Sequence, residues 1–260
     1  MPEVSVRHML TAAMLTIIAG AVVLAALALL GPDWQAYPQA TCTATHCFCE
    51  LPRVGALVVQ PANSWSSMGF ALVGFLIIAM ARDRRWQSAM PGVAAQAFGV
   101  TAILVGLGSL LLHATLTLWG QFFDVMGMYL IGTFMLVSAI ARWQRLADRP
   151  AITLYLLLCA GLISVLVALP EVRRWLFAVV LLAAIIVELG FARRQRPGVV
   201  LGYYVMGMIV QAAGFGLWVL DQTGTLCAPQ SLIQGHAAWH LLGAVALGMS
   251  FLYYRSERRA

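Results

Sequence analysis

Residues 235–254 read GHAAWHLLGAVALGMSFLYY. No acidic residue, Lys or Arg interrupts this run, which is about as long as a helix that crosses a bilayer, roughly 20 residues. Two histidines, His236 and His240, sit at one end of it. Four apart, they share a helix face. The rest of the chain repeats the pattern. Its 260 residues are 62% hydrophobic and 10% charged, where a soluble domain carries about 25% charged residues. Apolar blocks of roughly 18–22 residues fall at about 9–30, 63–81, 92–113, 121–141, 151–169, 174–191, 199–219 and 235–254. Short Arg-rich or Pro/Gly joints divide them. Strand-like alternation is absent, so a helical bundle is the only spanning structure left. The expected fold is therefore all-α, a polytopic transmembrane helical bundle. The first block could be a signal peptide. Its apolar part is long for one and lacks a clear small-residue cleavage site, so a retained helix is expected.

Basic residues orient the bundle. With the N-terminus inside, the cytoplasmic joints hold thirteen arginines, among them Arg82, Arg84, Arg85, Arg142, Arg193, Arg194 and Arg259, while the outer side holds only Arg53, Arg173 and Arg174. This asymmetry fits the positive-inside rule with an even number of spans and both termini cytoplasmic. The formal charge of +6 then belongs to topology and anionic headgroups, not to a nucleic-acid surface. No protein partner is predicted; the bilayer and its lipids are the expected partners.

That orientation gives depth to the polar residues. His113 closes a span running outward, and Asp124 opens the next one running inward. His236 and His240 open the last inward span, and Ser66 lies at the outer start of the second. All fall in the outer half of the membrane. Burying three imidazoles and a carboxylate among Leu, Val and Ala is costly unless something binds them. The expected occupant is a divalent metal. Zinc takes three nitrogen ligands and keeps a fourth position when catalytic. Ser109 precedes His113 by one helical turn and shares its face.

Four of the five cysteines, Cys42, Cys47, Cys49 and Cys227, fall in outer loops. In an oxidising compartment they suggest two disulfides, for which three pairings exist. Cys49–Cys227 with Cys42–Cys47 is one. A metal site using His46 with Cys47 and Cys49 is the competing reading. Cys159, mid-span, reads as a small core residue. Glu188, near the cytoplasmic end of its span, is expected to snorkel or to pair with Arg193 or Arg194.

Five pieces share an order and spacing: Cys49–Glu50, NSWSS at 63–67, GLGSLLLHATLTLWGQFFD at 106–124, WVLDQTGTLC at 218–227 and HAAWH at 236–240. In these the chain resembles the alkaline ceramidases, within a superfamily of seven-helix membrane hydrolases that includes the adiponectin-receptor-like proteins. The resemblance covers about Cys49 to the end. It implies an extra N-terminal transmembrane helix over residues 1–31, an extracytoplasmic Cys-containing loop over 32–62 and a seven-helix hydrolase core over 63–260. It also implies a zinc amidase that cleaves the N-acyl bond of ceramide-like sphingolipids to a fatty acid and a sphingoid base. By position, His113, His236 and His240 match the zinc ligands. Ser109 and Asp124 match the polar partners of the activated water. Asn63, Ser66 and Asp221 match supporting positions, and the family's paired cysteines favour Cys49–Cys227. The family also holds calcium through an acidic cluster. Here Glu50 matches, but Cys47, Pro52 and Gln60 stand where the family has an acid, an Asn and a second acid. A calcium site would thus lack most of the carboxylates that six to eight oxygen ligands call for.

Three other readings share these residues: another lipid hydrolase on the scaffold, a receptor with structural zinc, or a proton-coupled transporter using the His/Asp cluster. Transporters usually carry internal repeats and a midplane site, and neither is legible here. The expected location is a bacterial inner membrane, or else an endomembrane, with the site on the extracytoplasmic side.

Overall fold

Eight long helices follow one another in the computed structural model, which describes residues 4–43, 47–83 and 88–258. They are α1 (Val6–Leu30), α2 (Pro61–Arg82), α3 (Gly92–Thr115), α4 (Leu118–Gln144), α5 (Asp148–Ala168), α6 (Arg173–Gly190), α7 (Leu201–Gln222) and α8 (Gly235–Ser256). Among the described residues there is no strand, only one isolated bridge between Gln39 and Thr117. The fold is thus all-α. His46, Arg84, Arg85 and Arg259 lie outside the described residues.

Seven of the helices are long and apolar enough to cross a membrane. The exception is α6, where Arg173, Arg174 and Glu188 place three charges in 18 residues. Two of these charges end up buried, so α6 is a bundle helix whose polar groups face protein. The first helix packs on α2, burying Ala12, Gly20 and Leu27 and leaving most of its surface apolar and exposed.

Packing follows a nearly closed ring. α2 packs on α3, α3 on α4, α4 on α5 and α6, and α8 on both α2 and α7. The backbones of α6 and α7 stay well apart, and side chains such as Arg174 of α6 over Trp218 of α7 span the gap between them. A cavity of about 480 Å³ runs inside it, lined from α3, α4, α6, α7 and α8.

The histidine end is shaped by the 32–60 loop. A helix leaves its last carbonyls without partners, and here the loop supplies donors to the end of α3 and its turn: Gln60 N–H to His113 O at 3.0 Å, Val59 N–H to Ala114 O at 3.0 Å and Ala40 N–H to Leu116 O at 2.8 Å. Two disulfides fasten this loop, Cys42–Cys47 within it and Cys49–Cys227 to the loop before α8. Of the three pairings open to these cysteines this is the one formed, and it includes the Cys49–Cys227 bond that the family resemblance favours. Cys159 is free and buried, as its mid-span position predicts.

The opposite end is closed by charge. Glu188 neither snorkels nor pairs with Arg193 or Arg194. It is fully buried and binds Arg196 at 2.8 Å and the Tyr253 hydroxyl at 2.7 Å. Arg196 also binds Glu257 at 2.8 Å, and Arg142 of α4 pairs with the same Glu257. Glu188 turns inward because burial of a carboxylate requires a charged partner with further hydrogen bonds. Arg196, on the short link to α7, brings both.

Close approach of α3 and α4 rests on Gly108, where an added Cβ would lie 2.3 Å from the Phe123 carbonyl oxygen. Gly108→Ala should therefore destabilise the bundle by about 1–3 kcal/mol, the usual cost of overpacking against backbone. Gly161 of α5 has open space around its Cβ position, and Gly161→Ala should gain about 0.5–1 kcal/mol of helix propensity. Thermal unfolding in detergent measures both.

Candidate metal centre

His113 stands at the last turn of α3, and His236 and His240 at the first turns of α8. All three are buried, with one ring nitrogen from each lying within 4.8 Å of the others. Nε2 of His113 is 3.2 Å from Nε2 of His236. Among the described residues this is the one group of three or more His, Cys, Asp or Glu spaced to hold a metal ion.

Hydrogen bonds at the far nitrogens fix the tautomers. The Gln60 amide nitrogen donates to the Glu50 carbonyl at 2.8 Å, so the Gln60 oxygen faces His113 Nδ1 at 3.0 Å. An amide oxygen only accepts, so His113 carries its proton on Nδ1. His240 Nδ1 is 3.1 Å from the Asn63 carbonyl, another pure acceptor, with Ser66 Oγ at 3.0 Å. Ser66 donates its own hydroxyl to the same Asn63 carbonyl. Two of the imidazoles thus present bare Nε2 lone pairs to the centre. His236 points Nε2 the same way, and its Nδ1 is buried without a protein partner. Neutral imidazoles with lone pairs converging in a desolvated pocket repel unless a cation lies between them, and a donor on the other ring nitrogen is the usual support for a metal-binding histidine. The residues present fit a divalent cation held by three nitrogens, zinc being compatible.

Around the imidazoles the remaining site residues fall into place. Ser109 Oγ is 3.3 Å from His240 Nε2 and hydrogen-bonds Asp124. The Gly108 contact makes this possible, because it brings residues 123–124 of α4 against α3 one residue before Ser109. Asp221 is buried and accepts N–H bonds from His236 at 3.2 Å and Cys49 at 3.1 Å. It joins the start of α8 to the disulfide loop. Asn63 contributes its main-chain carbonyl, while its side-chain amide is buried without a protein partner.

Glu50 accepts the N–H groups of Ala62 at 2.8 Å and Asn63 at 2.9 Å. These are orphan donors at the start of α2, where Pro61 already occupies the first position, and a carboxylate there is favoured by the helix dipole. Burial pushes the Glu50 carboxyl above its ordinary value, while the two N–H bonds pull it down. Glu50 is thus engaged as a helix cap, and among the described residues no acidic cluster gathers around it.

Two contributors escaped the sequence reading. Gln60 drew notice only as a missing acid, yet it orients His113. Phe48 lies between two half-cystines, and its ring centroid is 4.5 Å from that of His113 and 4.3 Å from that of His236. The CFC triplet was the available signal: a residue flanked by cysteines of two different disulfides has little freedom. Removing the oxygen that holds His113 should weaken metal binding. Gln60→Ala is expected to lose about 10–100-fold in metal affinity, the range for such supporting groups, as read by competition with a chromogenic chelator.

Comparison with curated proteins finds none that matches. A family match covers residues 40–258, beginning past α1 and taking in every residue of the centre, and its description is Ceramidase. On that match the chain belongs to the Ceramidase family.

Proposed function

We propose that the protein is a zinc-dependent intramembrane amidase that hydrolyses the N-acyl bond of ceramide-like sphingolipids, releasing a fatty acid and a sphingoid base. Family membership supports a hydrolase acting on the amide of a ceramide lipid. The single observation that carries the finer reading is the convergence of three buried imidazoles, two of them held by outer acceptors that leave their inner nitrogens as lone pairs, next to a serine–aspartate pair.

His113, His236 and His240 would hold the metal. Bound there, zinc supplies Lewis acidity and lowers the pKa of water toward neutrality. The protein's own groups do the rest. Asp124, held by Ser109, accepts a proton from the attacking water and returns it to the leaving amine nitrogen. The Ser109 hydroxyl can turn from Asp124 to the oxygen of the acyl carbon as that carbon becomes tetrahedral. Phe48 covers the imidazoles from the loop side and keeps bulk water from them. The cavity beneath, with Val105, Ile131, Met135, Phe177 and Leu247 in its walls, accepts an acyl chain. The wide spacing of the α6 and α7 backbones, bridged only by side chains, favours this face as a lipid's sideways route to it. In the same proposal both termini are cytoplasmic and the centre faces the extracytoplasmic side, supported by the arginine bias and by disulfides at the histidine end. Residues 1–31 add a helix to a seven-helix core over 63–260, with 32–62 as its covering loop.

The test pairs zinc content with fatty-acid release from a ceramide in purified protein. The expected result is about one zinc per chain and release that disappears in His240→Ala. Asp124→Asn should keep its zinc and lose about 10²–10⁴-fold in kcat, the usual contribution of a general acid–base. Zinc without release would move the function to another lipid or to a receptor. Folded protein without zinc would sink the metal site.

A further inference from the structure

Sixteen arginines supply all of the chain's Lys and Arg, and only three fall at the histidine end: Arg53, Arg173 and Arg174. Two of those three line the cavity that contains the imidazoles. Arginine is disfavoured on the extracytoplasmic side of short loops only as a topological bias, so its concentration at one cavity mouth needs its own reason.

The two guanidiniums are not equivalent. Arg173 is buried, donates to the Pro170 carbonyl at 3.0 Å and lies 3.9 Å from the mostly exposed Glu171. It is within electrostatic reach of Asp124 and balances that carboxylate. Arg174 is exposed and stacks over Trp218, 5.5 Å from the ring centroid. Among the described residues no carboxylate lies within ion-pair distance of it. It still faces the site, since it lines the same cavity as Asp124 and His236. A guanidinium held over an indole face does not spend its N–H donors on the ring, which leaves them free to bind an oxyanion in a forked geometry.

We propose that Arg174, steadied on Trp218 and backed by Arg173, is a headgroup subsite for an oxyanion, so that the lipid amide preferred here carries a phosphate or carboxylate beside the N-acyl group. The inference rests on the amidase reading for its substrate and on the cavity alone for its ligand chemistry. A lipid with its chain in the cavity and its amide at Ser109, Asp124 and the imidazoles places its headgroup at this mouth. A neutral headgroup would leave the Arg174 donors to water.

The experiment uses the full-length protein, with Arg174→Gln and Arg174→Lys, on N-acyl lipids of one acyl chain bearing either a neutral hydroxyl or a phosphate headgroup. The ratio of kcat/KM, phosphate over hydroxyl, should exceed unity in the parent. It should fall about tenfold or more in Arg174→Gln, the scale of one charge-assisted hydrogen bond, and recover in part in Arg174→Lys. An unchanged ratio overturns the proposal. Relief of fatty-acid inhibition in Arg174→Gln with the ratio unchanged would assign the arginine to the product carboxylate and also overturns it. A second measurement is independent of hydrolysis: equilibrium binding of an alkyl phosphate against the alkanol of equal length. Preference for the phosphate, lost in Arg174→Gln and not abolished by inorganic phosphate at equal concentration, sustains the subsite even if no amide lipid is cleaved. Equal binding of the two probes overturns it.

Discussion

Imidazole lone pairs aimed at one another in a dry pocket are the constraint on which the rest of the structure depends. Neutral imidazole can direct either nitrogen inward. Here an amide oxygen and a main-chain carbonyl take the outer protons of His113 and His240, so these rings cannot relax by exchanging donor for acceptor. Both outer acceptors belong to residues 60–63, at the start of α2. The position of α2 is itself held by Glu50 from the loop. The histidine cluster thus reaches back, through one shell of hydrogen bonds, to a helix cap and a disulfide-fastened loop.

Much of this was legible in the sequence because a membrane imposes a strong pattern. Every long helix lies within a few residues of its apolar block, since a bilayer sets span length more tightly than propensity does. His236 and His240 were readable from their spacing, and His113 with Asp124 from their place at consecutive span ends. The supporting groups were hidden for a different reason. The Asn63 carbonyl has no sequence signature, because every residue has one. Gln60 matters through the direction of its amide, which depends on the Glu50 carbonyl ten residues away. The pairing of Glu188 with Arg196 rather than Arg193 or Arg194 depends on how a short three-residue difference in the linker turns the chain inward.

The two ends of the bundle are built on opposite principles. At one, Glu188, Arg196, Glu257 and Arg142 interlock α4, α6, α8 and the linker. Breaking one partner in such a buried set leaves an uncompensated charge, so the set is rigid. At the other, polar groups are gathered around a cavity, and α6 and α7 meet there through side chains such as Arg174 over Trp218.

Phe48 carries a consequence for the protein's assembly. Its two neighbours, Cys47 and Cys49, belong to separate disulfides, and its ring rests on two of the three imidazoles. Insertion of the helices alone therefore does not finish the centre. The aromatic cover is set only once thiols on the loop have been oxidised, with Cys227 delivered by a segment synthesised 178 residues after Cys49. Cys49 cannot be paired before Cys227 has been synthesised, so this tie closes only after α7 is complete. Before that, the loop holds its place over the imidazoles only through hydrogen bonds such as those from Val59 and Gln60 to the end of α3, so the two disulfides turn a hydrogen-bonded cover into a covalently tethered one.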